Sequence, residues 1–461
     1  MLSSRLRRNA RHDRRRRQSC ISRFARAMRF CPRGSPDQGG FQARSLVERY
    51  LDAALAACSV VNRFGVLCMG RAGTCMGTMA FVGALPVLRE AWHMSASAAG
   101  TIQTAFNLSN AFALLAAAWL CDIHGAKLVY LMCTWAGAVA LGAFAFFARS
   151  PESALVCIVF VGLTQGGAYA PALLLAADLN EPAARGRAMG QMLAAGSLGY
   201  LISIAVSLWA TRTHGVEIGF SACALGGISG AVLGHLSLLG APLVSARKRV
   251  EPVEKPSRPP CFLEFNAVAC CLLSGYVAHC WELLGHYAWT PSLLAAALAP
   301  LHLDVPAMAL LIGAVVHLPG MLSTVMFGML SDRWDRTAVL ILVGAAGAMS
   351  SLLMGSSIAW GPGWTILAAA IGSFCILGDS GVLSAAMTDS VSPNRLGRVM
   401  GVRSVLGFGL GAAAPTTFGA AFDATHRWSW AYATLAIGGC LACCCALCLR
   451  FLPGSLRTRT R

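Results

Sequence analysis

Within otherwise apolar stretches of this chain stand a few side chains able to carry charge or protons. His279, Glu282 and His286 fall at i, i+3 and i+7. At about 100° per residue, His286 lies within about 20° of His279 and Glu282 about 60° away, so one helix face would present all three. Trp281 and Trp289 flank them. Asp379 stands in Leu377-Gly-Asp-Ser-Gly381, and His317 precedes Pro319-Gly320. Carboxyl and imidazole groups held away from water can exchange protons near neutral pH. The same spacing is open to a structural reading, with Glu282 bonded to a His. It is also open to a metal reading, but spacing alone is not specific and no metal is assigned. Neutral polar groups follow: Gln165 and Tyr169 in Leu163-Thr-Gln-Gly-Gly-Ala-Tyr-Ala-Pro171, Tyr200, and the row Gln103, Asn107, Asn110 at i, i+4, i+7. That row reads first as helix packing, where an interhelical bond contributes about 0.6 kcal/mol.

The elements that carry these groups are set by composition. Of 461 residues, 56% are apolar and 12% charged, against about 25% charged in soluble domains. Mean hydropathy is +0.61. These figures exclude a soluble enzyme, a disordered regulator and a fibrous repeat, and leave an integral membrane protein. The net charge of +17 does not indicate a nucleic-acid partner, because residues 1–49 alone contribute +11. Most of the 19 Cys sit inside apolar runs, as in Cys443-Cys444-Cys445, and act there as small apolar side chains. Residues 1–66 read as a basic arm, either disordered and touching anionic lipid or a start placed upstream of the true one near Met69.

From residue 70 the chain becomes apolar runs of about 20 residues, the length that crosses a bilayer core. Twelve are expected: 71–90, 97–119, 127–147, 153–177, 188–209, 216–243, 265–297, 305–330, 337–358, 364–386, 399–422 and 429–451. They are apolar throughout rather than alternating, so they are helices, which satisfy every backbone group internally. An ionisable residue inside such a run costs about 2.5–3.5 kcal/mol and usually faces a cavity or a partner. Basic residues favour one side by 17 to 4, which puts both termini in the cytoplasm of a multi-pass inner-membrane protein. The charged, Pro-rich stretch 245–262 reads as a linker between bundles 67–244 and 263–452, with a tail at 453–461.

The two halves echo each other. Asp178, Pro182, Gly186, Arg187, Met189 and Gly190 recur as Asp389, Pro393, Gly397, Arg398, Met400 and Gly401, at a constant offset of 211. Internal duplication of six helices is the usual architecture of secondary transporters. The loop after the second span carries Asp122, Gly125 and Lys127; that after the eighth carries Gly328, Asp332, Arg333 and Arg336. Both are similar to the Gly-x-x-x-Asp-Arg-x-Gly-Arg-Arg loop of the major facilitator superfamily. The first copy lacks the leading Gly and first Arg, and the second has Asp335 at the later Gly. The resemblance covers about residues 70–452.

That resemblance implies an all-α membrane fold of two six-helix bundles related by a pseudo-twofold. It implies that helices 1, 4, 7 and 10 line a central cavity, onto which His279, Glu282, His286, Asp379, Gln165 and Tyr169 would face. It implies that Asp122, Asp332, Arg333 and Arg336 latch the bundles together in the outward-open state. Drug-antiporter signals are missing: Gly162 stands where an Arg precedes the Gln-Gly of helix 4, and span 5 lacks a Gly-Pro run. The expectation is a monomeric, non-enzymatic secondary transporter moving a small solute, with protons as coupling ion. Alternatives are a transporter-like receptor or a drug antiporter without the usual motifs. No cofactor is called for, and no nucleotide-binding Gly-x-x-x-x-Gly-Lys-Ser/Thr loop is present. With no arginine evident at bilayer depth, the expected substrate is not strongly anionic.

Overall fold

A computed structural model describes residues 63–181, 184–240, 266–391 and 393–452. Twelve helices there are long and apolar enough to cross a membrane. The first six are α1 (Arg63–Ala91), α2 (Ala96–His124), α3 (Ala126–Phe147), α4 (Pro151–Asp178), α5 (Arg185–His214) and α6 (Val216–Ser237). The second six are α7 (Ala267–Leu301), α8 (Val305–Arg333), α9 (Arg336–Trp360), α10 (Pro362–Ser390), α11 (Val399–Thr425) and α12 (Trp428–Leu449). The expected arm up to residue 62, the linker 245–262 and the tail 453–461 lie outside the described residues. Residues 63–66, assigned above to the arm, belong to α1.

Local sequence sets the helix ends. Ser95 caps α2 by accepting from the Ala98 N–H, and Asn266 caps α7 by accepting from Ala269. Ser150 and Ser153 form a reciprocal capping pair ahead of α4, with Pro151 in its first turn. Gly125 joins α2 to α3 at φ +82°, a conformation that favours glycine. Three helices are interrupted: α1 at Cys75, α10 at Gly378, and α11 between Gly411 and Ala414.

The packing repeats between halves. The pairs α1–α6, α1–α5, α2–α4 and α3–α6 recur as α7–α12, α7–α11, α8–α10 and α9–α12. Small residues permit the closest of these approaches. A Cβ on Gly230 of α6 would lie 2.4 Å from the Thr74 nitrogen and 2.6 Å from the Gly70 carbonyl oxygen of α1. Large apolar side chains such as Phe112, Trp119, Phe147 and Trp364 point outward and are exposed, as suits a chain whose solvent is lipid.

The two bundles meet at one end. A buried apolar cluster there joins Leu85, Phe106 and Phe144 of the first bundle to Trp289, Leu293, Ile312 and Phe418 of the second. Towards the other end the core divides. One cluster, around Leu67, Tyr130 and Leu175, stays within the first bundle, and another, around Leu272, Val343 and Met387, within the second. Among the described residues, every hydrogen bond between bundles falls between Ala96 and Thr104 of α2 on one side and Ala412 and Asp423 on the other. Backbones touch at this seal: a Cβ on Gly100 would lie 2.2 Å from the Pro415 carbonyl oxygen.

Candidate substrate cavity

Below the seal lies a cavity of about 190 Å³ between the bundles. Its first wall sets most of the polar groups among Met79, Phe106 and Leu114: Arg71 and Thr78 of α1, Gln103, Asn107 and Asn110 of α2, Gln165 and Tyr169 of α4, and Tyr200 of α5. The second wall is mainly apolar, with Leu283, Leu284 and Tyr287 of α7 and Phe408 on the α11 chain.

Several of these groups are fixed by each other. The Gln165 amide donates to the Thr74 carbonyl at 3.0 Å and accepts from the Thr78 hydroxyl at 3.0 Å, tying α4 to α1. Gly77 leaves room for it, since a Cβ there would lie 2.7 Å from Gln165 Nε2. Gln103 donates to the Asn107 side-chain oxygen at 3.3 Å. The Arg71 guanidinium sits 5.9 Å from the centre of the Tyr169 ring, within reach of a cation–π attraction.

Of the six residues expected on the cavity, Gln165 and Tyr169 line it. The other four are held inside the second bundle. His279 Nδ1 meets Asp379 Oδ1 at 2.6 Å, joining α7 to α10. Glu282 accepts from the Ser351 hydroxyl of α9 at 2.7 Å and packs against Gly347. His286 meets Ser373 of α10 at 3.0 Å and Thr290 at 3.0 Å, and Thr290 in turn meets Tyr432 of α12. The three polar residues of α7 do share a face, but Leu283, Leu284 and Tyr287 turn towards the cavity from roughly a third of a turn round the helix. The amide row of α2, expected to serve packing, lines the cavity instead.

Two arginines buried at 4% exposure, Arg71 and Arg403, were missed. Arg71 marked the edge of the expected first span; α1 begins at Arg63, which puts Arg71 more than two turns inside it. The apolar run Phe64-Gly-Val-Leu-Cys-Met was the available signal. Arg403 was counted among loop charges, although its guanidinium lies 3.6 Å from the Tyr276 ring centre and donates to Ser384. The expectation of a substrate that is not strongly anionic assumes acids in the cavity and no buried arginine, and these two arginines remove the second ground.

At the ends of the helices, Arg336 pairs with Asp332 at 3.7 Å and with Asp389 of α10. These contacts lie within the second bundle. Asp122, Arg333, Gly186 and Arg187 are exposed, and Gly328 has open space about it. Gly125 forms the α2–α3 turn, and Lys127 follows in the first turn of α3. The side chains at Gly397 and Arg398 fall outside the described residues.

The chain matches the family model described as Major Facilitator Superfamily over residues 67–378. No curated protein matches it significantly. Its fold is similar to that of a D-xylose–proton symporter, with a TM-score of 0.68 at 13% identity over 86% of this chain and 99% of the other. It is similar to a bacterial homolog of the human lysosomal transporter Spinster, inward-facing and unoccupied, with a TM-score of 0.66 at 16% identity over 86% and 96%. The nucleoside transporter NupG gives 0.62 at 13% identity over 85% and 100%. With twelve membrane-length helices in two bundles that repeat each other's packing, and a family match over most of its length, this chain belongs to the Major Facilitator Superfamily of membrane transporters.

Proposed function

We propose that the protein is a secondary active transporter that moves a small solute by alternating access and is driven by protons. The observation that carries this reading is the cavity between the bundles, sealed at one end by contacts that α2 makes with α11. A site reached from one end, with the bundles parted beyond it, is what a rocking pair of domains presents in one of its two states. The excess of basic residues on the side of the chain termini supports a cytoplasmic placing of that side in the inner membrane. The seal is then periplasmic, and this state opens to the cytoplasm. The cavity is smaller than the ~300–1,000 Å³ of pockets for drug-sized ligands, which favours a small solute over a bulky drug.

The His279–Asp379 pair is the proton-carrying element in this reading. It joins two helices of the second bundle away from bulk water. Tyr276 and Glu282 of α7 and Arg403 on the α11 chain face the same region. Glu282 and His286, held by hydroxyl partners, serve packing of the second bundle. Protonation of a pair that joins helices offers a way to bias two packings of that bundle.

The test is uptake into proteoliposomes holding the purified protein, with and without an imposed pH gradient. The reading expects solute accumulation that requires the gradient. Binding of a solute with no uptake under either condition would contradict transport, and uptake indifferent to the gradient would contradict proton coupling.

A further inference from the structure

We propose that the cavity binds a small organic monoanion, a monocarboxylate with an apolar body, and that Arg71 holds its charge. This deepens the transport reading and rests on it for the cavity's being the substrate site. Arg71 is buried yet lines the cavity, and among the described residues no carboxylate pairs with it. Its Nη1 has no hydrogen-bond acceptor. A second donor is left open in the same wall: Asn107 Nδ2 has no acceptor, while its side-chain oxygen is occupied by Gln103. Gln165 is already spent on Thr74 and Thr78. A buried donor without an acceptor is costly, and so is a buried cation without an anion. A ligand carboxylate would supply the missing anion and acceptor at Arg71, and Asn107 offers a further donor in the same wall.

Among the described residues the cavity lining carries one charged side chain, Arg71, which suits a ligand with one negative charge. The other buried arginine, Arg403, is not part of the cavity lining; it donates to Ser384 and lies against Tyr276, and its Nε has no acceptor. One cation therefore lines the cavity, which suits a carboxylate better than a phosphate dianion. The opposite wall, with Leu283, Leu284 and Phe408, offers no charge and fits an apolar body.

The experiment is thermal unfolding of the purified full-length protein with benzoate, phenylacetate, their primary amides and inorganic phosphate. A bound ligand raises Tm by mass action. The carboxylates should raise Tm, whereas the amides and phosphate should not. Arg71→Gln should weaken the carboxylate response about tenfold or more in apparent affinity, as expected for loss of a charge-assisted contact. Arg71→Lys should retain part of it. Should Arg71→Gln fail to fold, Asn107→Asp carries the test, because it places a fixed carboxylate in the same cavity and should abolish the response. Amides as effective as acids, no response to either acid, or a response unchanged in Arg71→Gln or Asn107→Asp would overturn the site. Carboxylate binding that depends on Arg71 without benzoate uptake by proteoliposomes would leave the site standing and remove the transport reading. Uptake of a neutral solute indifferent to Arg71→Gln would do the reverse.

Discussion

Asp423, near the end of α11, accepts hydrogen bonds from the backbone N–H groups of Ala96 at 2.9 Å and Ser97 at 2.8 Å, so a carboxylate of one bundle caps the first turn of a helix in the other. The positive end of α2 and its unsatisfied N–H groups make this a favourable place for a negative charge. Beside it, Arg89 reaches over the rings of Trp289 and Phe422, at 5.9 and 5.5 Å from their centres. Trp289 donates to the Pro415 carbonyl and stacks on Phe418. The seal is thus built from a cap, a cation over aromatic faces and close backbone contact.

Removing the cap should shift the balance between states rather than unfold the protein. Asp423→Ala deletes two charge-assisted bonds that exist only when the bundles meet here, and is expected to weaken the sealed state by about 1–2 kcal/mol. Spin labels at exposed positions of α2 and α11 near this end should show a larger population of long distances in the variant. An unchanged distance distribution would show that Asp423 does not bias the seal.

The α1–α6 contact should tolerate no side chain. Gly230→Leu forces atoms into the space filled by the Thr74 and Gly70 backbone, and overpacking of this kind typically costs about 1–3 kcal/mol. The expected readout is a lower Tm in detergent. Gly186→Ala, at a position with open space around it, should leave Tm nearly unchanged and serves as the control.

The sequence showed the twelve spans and their division into two sixes, because uninterrupted apolar runs of bilayer length have few alternative folds. Gln165 and Tyr169 were expected at the cavity through the family resemblance alone, and both line it. The sequence did not show where the polar face of α7 points. Spacing establishes that His279, Glu282 and His286 share a face, but the partner of that face is set by tertiary packing against Asp379, Ser351 and Ser373. Arg71 was hidden for a related reason: a hydropathy window trims a charged residue from the end of a span, although the helix continues past it.

The placing of Glu282 leads to a clear contrast with a cavity residue. Glu282→Gln keeps an acceptor for Ser351 and sits away from the cavity wall, so KM for the transported solute should stay within about twofold of the wild type, a difference under 0.5 kcal/mol. Gln165→Leu removes the bonds to Thr74 and Thr78 in the wall itself, and should raise KM clearly more than that. Equal effects of the two substitutions would put Glu282 back at the binding site.

Proton coupling should reside in the pair between α7 and α10. Asp379→Asn removes the carboxylate that meets His279. It is expected to abolish accumulation driven by a pH gradient while leaving solute exchange between equally loaded compartments. Counterflow measured beside gradient-driven uptake separates the two. Normal gradient-driven accumulation in this variant would assign the proton to another group.

The seal offers the most direct test of alternating access. Thr104 of α2 and Thr416 of α11 place their hydroxyl oxygens 2.8 Å apart across the two bundles, close enough for paired cysteines there to form a disulfide. In the double variant Thr104→Cys/Thr416→Cys, oxidation should stop uptake and a reductant should restore it, with neither single variant affected. Full uptake with the disulfide demonstrably formed would contradict the account, because the bundles would then have no need to part at this end.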